Sequence, residues 1–220
     1  MGIQIADREI ERVAIIDDDS ESRESVRIIV EDLSLHPLVI DGPLESLDET
    51  WARLCKLRFD AVISDFHLRK QNYSHFNGDE IVSRCYKKKV PALLWSAVAK
   101  AIGEVPSDRK RNIAAFLPVE SLDLEPIRAG FSKCVSEFNG KYMTDRKAYR
   151  TQIGVVERDN ERKSVYLLLP GWNPGKRIPV SLSSVPEELR DELTPGKWYF
   201  AWANIGAKDS DEIFICGWEF

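Results

Sequence analysis

Five short apolar runs recur through the first 120 residues, with helix-period stretches between them, and this alternation constrains the fold more than any other feature of the chain. The runs are residues 12–16, 37–40, 59–64, 90–95 and 112–117. At that length, rich in β-branched residues and leucine, they read as buried strands. Between the first two, Val26, Ile29, Val30 and Leu33 fall at i, i+3, i+4 and i+7, the stripe of an amphipathic helix. Leu44, Leu47, Trp51 and Leu54 repeat the pattern, residues 78–88 continue it, and a last helix carries Leu122, Ile127, Phe131, Cys134, Val135 and Phe138. Residues 98–111 are the least periodic, so a helix there is expected to be short or irregular. Strands alternating with helices imply an α/β domain: a doubly wound, five-stranded parallel sheet with helices on both faces and right-handed crossovers.

The 220 residues exceed what one such domain needs, and the composition shifts near residue 140. Four of the six tryptophans, Trp172, Trp198, Trp202 and Trp218, lie in the last third. The boundaries read as a domain over 1–140, a polar linker over 141–147 and a small, mainly-β, barrel-like domain over 148–220. Residues 152–157 and 163–169 flank a polar, hairpin-like turn, residues 177–182 give a further strand, and residues 187–193 suggest one short helix. In 197–203, Trp198, Phe200 and Trp202 alternate with Tyr199, Ala201 and Ala203. The tryptophan face is read as core, ahead of a protein-binding surface or a nucleic-acid platform. The last strand places Phe214, Cys216, Trp218 and Phe220 on one face.

Charge narrows the function classes. Lys and Arg total 31 against 36 Asp and Glu, a net charge of −5, and the last 73 residues hold 9 basic and 11 acidic side chains. Nucleic-acid binding normally shows as a basic face, and the only basic runs, at 84–89 and 109–111, read as solvated helix ends or loops. DNA is therefore not an expected partner. No stretch approaches the roughly 20 apolar residues of a membrane span, and residues 1–11 lack the pattern of a signal peptide. Cys55, Cys85, Cys134 and Cys216 are scattered without a CxxC pair, which fits reduced thiols in a cytoplasmic protein.

In doubly wound sheets the ligand site lies beyond the carboxyl ends of the strands. The first strand runs into Asp17 and Asp18, the third into Asp65 and the fourth into Ser96, so these four residues are expected to converge. Clustered carboxylates repel one another unless a cation joins them, and hard oxygen ligands suit Mg²⁺ or Mn²⁺. A carboxylate beside such an ion can act as a nucleophile toward a phosphoryl group, with Ser96 hydrogen-bonding a phosphoryl oxygen. Taken alone, Asp17, Asp18 and Asp19 could equally be an acidic turn capping the next helix.

Residues 11–138 resemble the receiver domain of bacterial two-component response regulators. The likeness is carried by Ile15-Ile16-Asp17-Asp18-Asp19, Ala61-Val62-Ile63-Ser64-Asp65, Asn77-Gly78 and Leu94-Trp95-Ser96-Ala97. It implies that Asp65 accepts a phosphoryl group from a histidine kinase or phosphotransfer protein. It also implies that Asp17, Asp18 and Asp65 hold Mg²⁺, that Ser96 is the switch hydroxyl, and that the family's aromatic switch falls on Ala115 or Phe116. Partners expected on this reading are the kinase, a protein bound by the C-terminal domain, and a second copy of the chain through the receiver-like domain.

Two departures stand out. The family ends its fifth strand in Lys-Pro, whereas this chain has Leu117-Pro118, which removes a charge-assisted hydrogen bond to the phosphoryl group. Lys100, Arg69 or Lys70 are candidate substitutes. Residues 66–77 are longer than the family's loop and read as a surface insertion, with a lid over the acidic pocket as the functional counterpart and His67 or His75 disfavoured as metal ligands. The leading expectation is a non-enzymatic, atypical response regulator acting through protein–protein interaction. The alternatives are a phosphorylation-independent pseudo-receiver adaptor and a magnesium-dependent phosphoaspartyl enzyme.

Overall fold

The computed structural model describes residues 2–98 and 101–219 and divides into two compact units. The first comprises Met1–Ala101 and Asn112–Lys141, the second Ile102–Arg111 and Tyr142–Phe220.

The first unit opens with a hairpin, β1 (Ile3–Ile5) and β2 (Arg8–Ile10), turned at Ala6. The sequence reading gave no strands there, because Ile3, Ile5 and Ile10 stand alone among charged residues; Ile5 and Ile10 nevertheless join the core. There follow β3 (Arg12–Ile16), α1 (Ser20–Asp32), β4 (His36–Val39), α2 (Leu47–Leu57), β5 (Ala61–Asp65), α3 (Gly78–Lys87) and β6 (Ala92–Ser96). The chain then passes through the second unit, including the single-turn helix α4 (Ser107–Lys110), and returns as β7 (Ala115–Pro118) and α5 (Leu124–Phe138). The strand order is β4-β3-β5-β6-β7, all parallel, the expected doubly wound arrangement. Its core combines Val13, Ile15, Ile63 and Leu93 of the sheet with Val26 and Val30 of α1 and Ile127 and Phe131 of α5. Each side chain of this size removed from water contributes about 1.5–3 kcal/mol.

Local chemistry sets the helix starts. Asp19 caps α1, its carboxylate accepting from the Glu21 and Ser22 amides at 3.0 and 2.9 Å. Asn77 and Glu80 form a capping box on α3. Gly78, which follows Asn77, is forced: a Cβ there would lie 1.8 Å from the Asp65 carbonyl oxygen, so only glycine lets α3 begin against the end of β5.

The second unit is mainly β, as expected. Its sheet comprises β8 (Tyr149–Asp159), β9 (Ser164–Leu169), β10 (Asn173–Ser181), β11 (Trp198–Ala203) and β12 (Ile215–Glu219), antiparallel in the order β10-β9-β8-β11-β12, with α6 (Glu187–Arg190) between β10 and β11. One face packs on Val185, Leu189, Leu193 and Ile213. Residues 102–111 are built into this unit. The Ser107 amide donates to Ser184 Oγ at 3.2 Å, Ser107 Oγ accepts from the Ile215 amide at 2.9 Å, and the Arg146 guanidinium donates to the Lys110 and Arg111 carbonyls.

The tryptophan-bearing face of β11 reverses the sequence reading. Its alternation is as expected, but Ala201 and Ala203 are buried, while Trp198 and Trp202 are 54% and 43% exposed. The small side chains turn inward into the core with Leu189, Leu193 and Ile213, and the large rings lie outside. Gly217, with φ +55°, sits beneath the Trp202 ring and interrupts the alternation of β12, so that Ile215 and Trp218 are both buried. Phe220 and Lys100 lie outside the described residues.

Candidate phospho-acceptor site

The parallel register brings the acidic residues together. Ile15, Ile63, Leu93 and Ala115 are successive neighbours across β3, β5, β6 and β7. Two residues further along each strand, Asp17, Asp65, Trp95 and Leu117 therefore form the next row on the same sheet face. Asp65 pairs with Trp95, and Trp95 with Leu117.

One carboxylate oxygen from each of Asp17, Asp18 and Asp65 lies within 4.8 Å of the others. Asp17 and Asp18 are buried, at 1% and 5% exposure. Burial, followed by repulsion from Asp65 and Asp18, raises the Asp17 carboxyl to about 7. Burial, with Asp18 adding repulsion, raises Asp65 to about 6. Asp17 Oδ1 accepts from the Asp19 amide at 2.7 Å, whereas Asp17 Oδ2 is buried with no hydrogen-bond partner. Asp19 also lines the cleft but caps α1, so the acidic turn divides into one capping carboxylate and two that join Asp65. A divalent ion fits what remains: three hard oxygen donors, an orphaned buried oxygen, and carboxylates that burial destabilises as anions. Among the described residues no histidine joins this group.

The cleft has a volume of about 360 Å³ and is lined by Asp17, Asp18, Asp65, Lys70, Trp95, Ala97 and Leu122, among others. Ser96 is buried at the end of β6, its Oγ accepting from the Val98 amide at 3.1 Å; its neighbour Ala97, rather than Ser96 itself, lines the cleft. Leu117, the residue that the resemblance set against a lysine, is buried in the apolar core. Ala115 is also in that core, and Phe116 is half-buried.

Residues 66–77 are not a loose surface insertion. Phe66, Leu68, Tyr73, Ser74 and Phe76 are buried, and the Tyr73 hydroxyl donates to the Ile40 carbonyl. The segment also holds the acidic residues in place: the His67 amide donates to Asp65 Oδ2 at 3.1 Å and the Lys70 amide to Asp18 Oδ2 at 2.6 Å. His75 instead faces Glu45 at 3.5 Å. The apolar residues interspersed among the polar ones were the available signal for this packing. Lys70 lines the cleft, and its charge is one of the influences lowering the Asp19 carboxyl.

By sequence, no family model and no curated protein matches the chain. Solved structures resemble its first unit. A receiver domain protein from Clostridium thermocellum is 14% identical with a TM-score of 0.43, the alignment covering 59% of this chain and 98% of that one. The receiver domain of NtrX from Brucella abortus is 15% identical, with a TM-score of 0.44 and 56% and 98% coverage. The response regulator TrrA from Thermotoga maritima, solved in complex with Mg²⁺-BeF, is 15% identical, with a TM-score of 0.44 and 57% and 99% coverage. All three are response regulator proteins or receiver domains. No helix among the described residues is long and apolar enough to cross a membrane.

Proposed function

We propose that the chain is an atypical response regulator in which Asp65 accepts a phosphoryl group from a histidine kinase or phosphotransfer protein and the second unit engages a protein partner. The observation that supports this most is the cluster itself: three carboxylate oxygens within 4.8 Å, with Asp17 Oδ2 buried and unpartnered, at the carboxyl end of a doubly wound sheet. Asp17, Asp18 and Asp65 would hold Mg²⁺ or Mn²⁺, as the TrrA response regulator holds Mg²⁺-BeF. Such an ion screens the charge of the carboxylates and of the incoming oxygens.

The remaining chemistry falls to the chain. One Asp65 oxygen attacks phosphorus, the P–N bond of the phosphohistidine breaks, and the imidazole nitrogen leaves with the bonding pair and takes a proton from solvent. The His67 amide, already on Asp65 Oδ2, orients the nucleophile, and the Lys70 amide fixes Asp18. Ser96 Oγ would turn from the Val98 amide to a phosphoryl oxygen. In the second unit, the exposed rings of Trp198 and Trp202, in a segment of 9 basic and 11 acidic side chains, favour a protein partner over nucleic acid.

Incubation with Mg²⁺ and acetyl phosphate, followed by intact-mass measurement, should add one phosphoryl group that Asp65→Asn abolishes. The buried Leu117 favours a second reading, a pseudo-receiver adaptor, and no addition from any donor would establish it over the first. Sustained turnover of a small phosphate ester would instead make the chain a phosphoaspartyl enzyme.

A further inference from the structure

Among the described residues, the indole N–H of Trp95 is the buried side-chain donor at the cleft that the fold leaves without a partner. Trp95 is 4% exposed, lines the acidic cleft, and its Nε1 is buried without an acceptor among the described residues. A buried N–H left unpaired is rare and calls for an explanation, and a ligand that brings the acceptor is one. The rest of the row supplies the context. Trp95 stands between Asp65 on β5 and Leu117 on β7, on the same sheet face, one strand nearer to Asp65 than the position from which a lysine would reach. Asp17 Oδ2, in the same row, is an acceptor without a donor, and a bound metal would satisfy it. The indole N–H is the complementary vacancy, which an anion would satisfy.

We propose that Trp95 Nε1–H donates a hydrogen bond to an oxygen of the phosphoryl group on Asp65, so that a neutral indole takes over part of the task of the missing ammonium. This rests on Asp65 being the acceptor. Lys70 plays a different part: it is exposed at the rim, beside Asp19, and supplies charge without a buried donor. An indole donates one directional hydrogen bond and no net charge. The site therefore keeps its geometric recognition of the oxyanion while losing the electrostatic share that a lysine contributes.

The test uses the full chain with ¹⁵N-labelled tryptophan. The Trp95 indole resonance is assigned by its loss in Trp95→Phe, and confirmed by Trp→Phe changes at the other five positions, so that the assignment stands even if Trp95→Phe folds poorly. With Mg²⁺ and beryllium fluoride it should move downfield, and with Mg²⁺ alone it should not. Trp95→Phe, which keeps the ring bulk, should weaken beryllium fluoride binding at saturating Mg²⁺ about tenfold, the effect of one hydrogen bond to a charged group. Leu117→Lys in that background should recover it. If wild type gains a phosphoryl group by mass while the Trp95 resonance stays in place and Trp95→Phe binds as tightly, the Trp95 assignment is wrong and the Asp65 reading stands. An equal shift with Mg²⁺ alone also overturns the donor role. If wild type gains no phosphoryl group and beryllium fluoride moves nothing, the reading of Asp65 fails, and the inference with it.

Discussion

Each unit buries a group whose charge burial disfavours, but in opposite senses and different company. In the first, Asp17 and Asp65 are raised to about 7 and about 6, and they stand together with Asp18. In the second, Lys110 is lowered to about 8, with only the charge of Asp211 opposing the effect of burial. Three carboxylates converging on one cleft repel one another, and a single divalent ion would neutralise them together. A single buried lysine can release its proton and stay neutral, and so demands nothing. The surfaces differ as well. The first unit keeps its unusual chemistry inside a cleft, while the second satisfies Asn204, its most buried polar residue, within the fold and carries its large aromatic rings outside.

The sharpest way to break this comparison is to cut the second unit down to its C-terminal segment, without residues 102–111. A fragment of residues 142–220 lacks Val105, Ser107 and Lys110, all of them buried, and the carbonyls that Arg146 binds. It should show no cooperative unfolding transition by circular dichroism, and a fragment as stable as the full chain would mean residues 102–111 are a passive appendage. In the first unit, Gly78→Ala drives a methyl group into the Asp65 carbonyl and should cost about 3 kcal/mol in urea unfolding, with weakened Mg²⁺ binding because the end of β5 must shift.

A smaller effect separates the two kinds of buried charge. Between pH 8 and 10.5 the unfolded Lys110 holds a proton that the folded one has released, so stability should rise with pH across that window, by about 1.5 kcal/mol from pH 8 to 9.5. Lys110→Met should remove the difference, and an unchanged slope would mean that Lys110 is charged in the fold. The smallest effect tests the aromatic face. Trp198→Ala should cost about 1 kcal/mol or less, against about 3–5 kcal/mol for Trp218→Ala on the buried side. Equal costs would show that the outer face is also packed.

Much of the candidate site was legible because strand ends in a doubly wound sheet share one edge. Asp17, Asp18, Asp65 and Ser96 could be placed there from spacing alone, and Asn77-Gly78 announced a helix start. The row of Trp95 beside Asp65 was not legible, since spacing along each strand does not fix the register between strands. Nor was the packing of residues 66–77, where Leu68, Tyr73 and Phe76 bury themselves without a helical or strand period.

By itself, the sequence determined what depends on local periodicity: the order of strands and helices after the N-terminal hairpin, the two faces of β11, and the carboxylates at the strand ends. Tertiary structure decided which face of β11 is inside and which unit owns residues 102–111. Alternation tells two faces apart but is blind to which one another segment will cover. That choice depends on what packs against the strand, and here Ala201 and Ala203 join Leu189, Leu193 and Ile213 in the core while Trp198 and Trp202 stay outside.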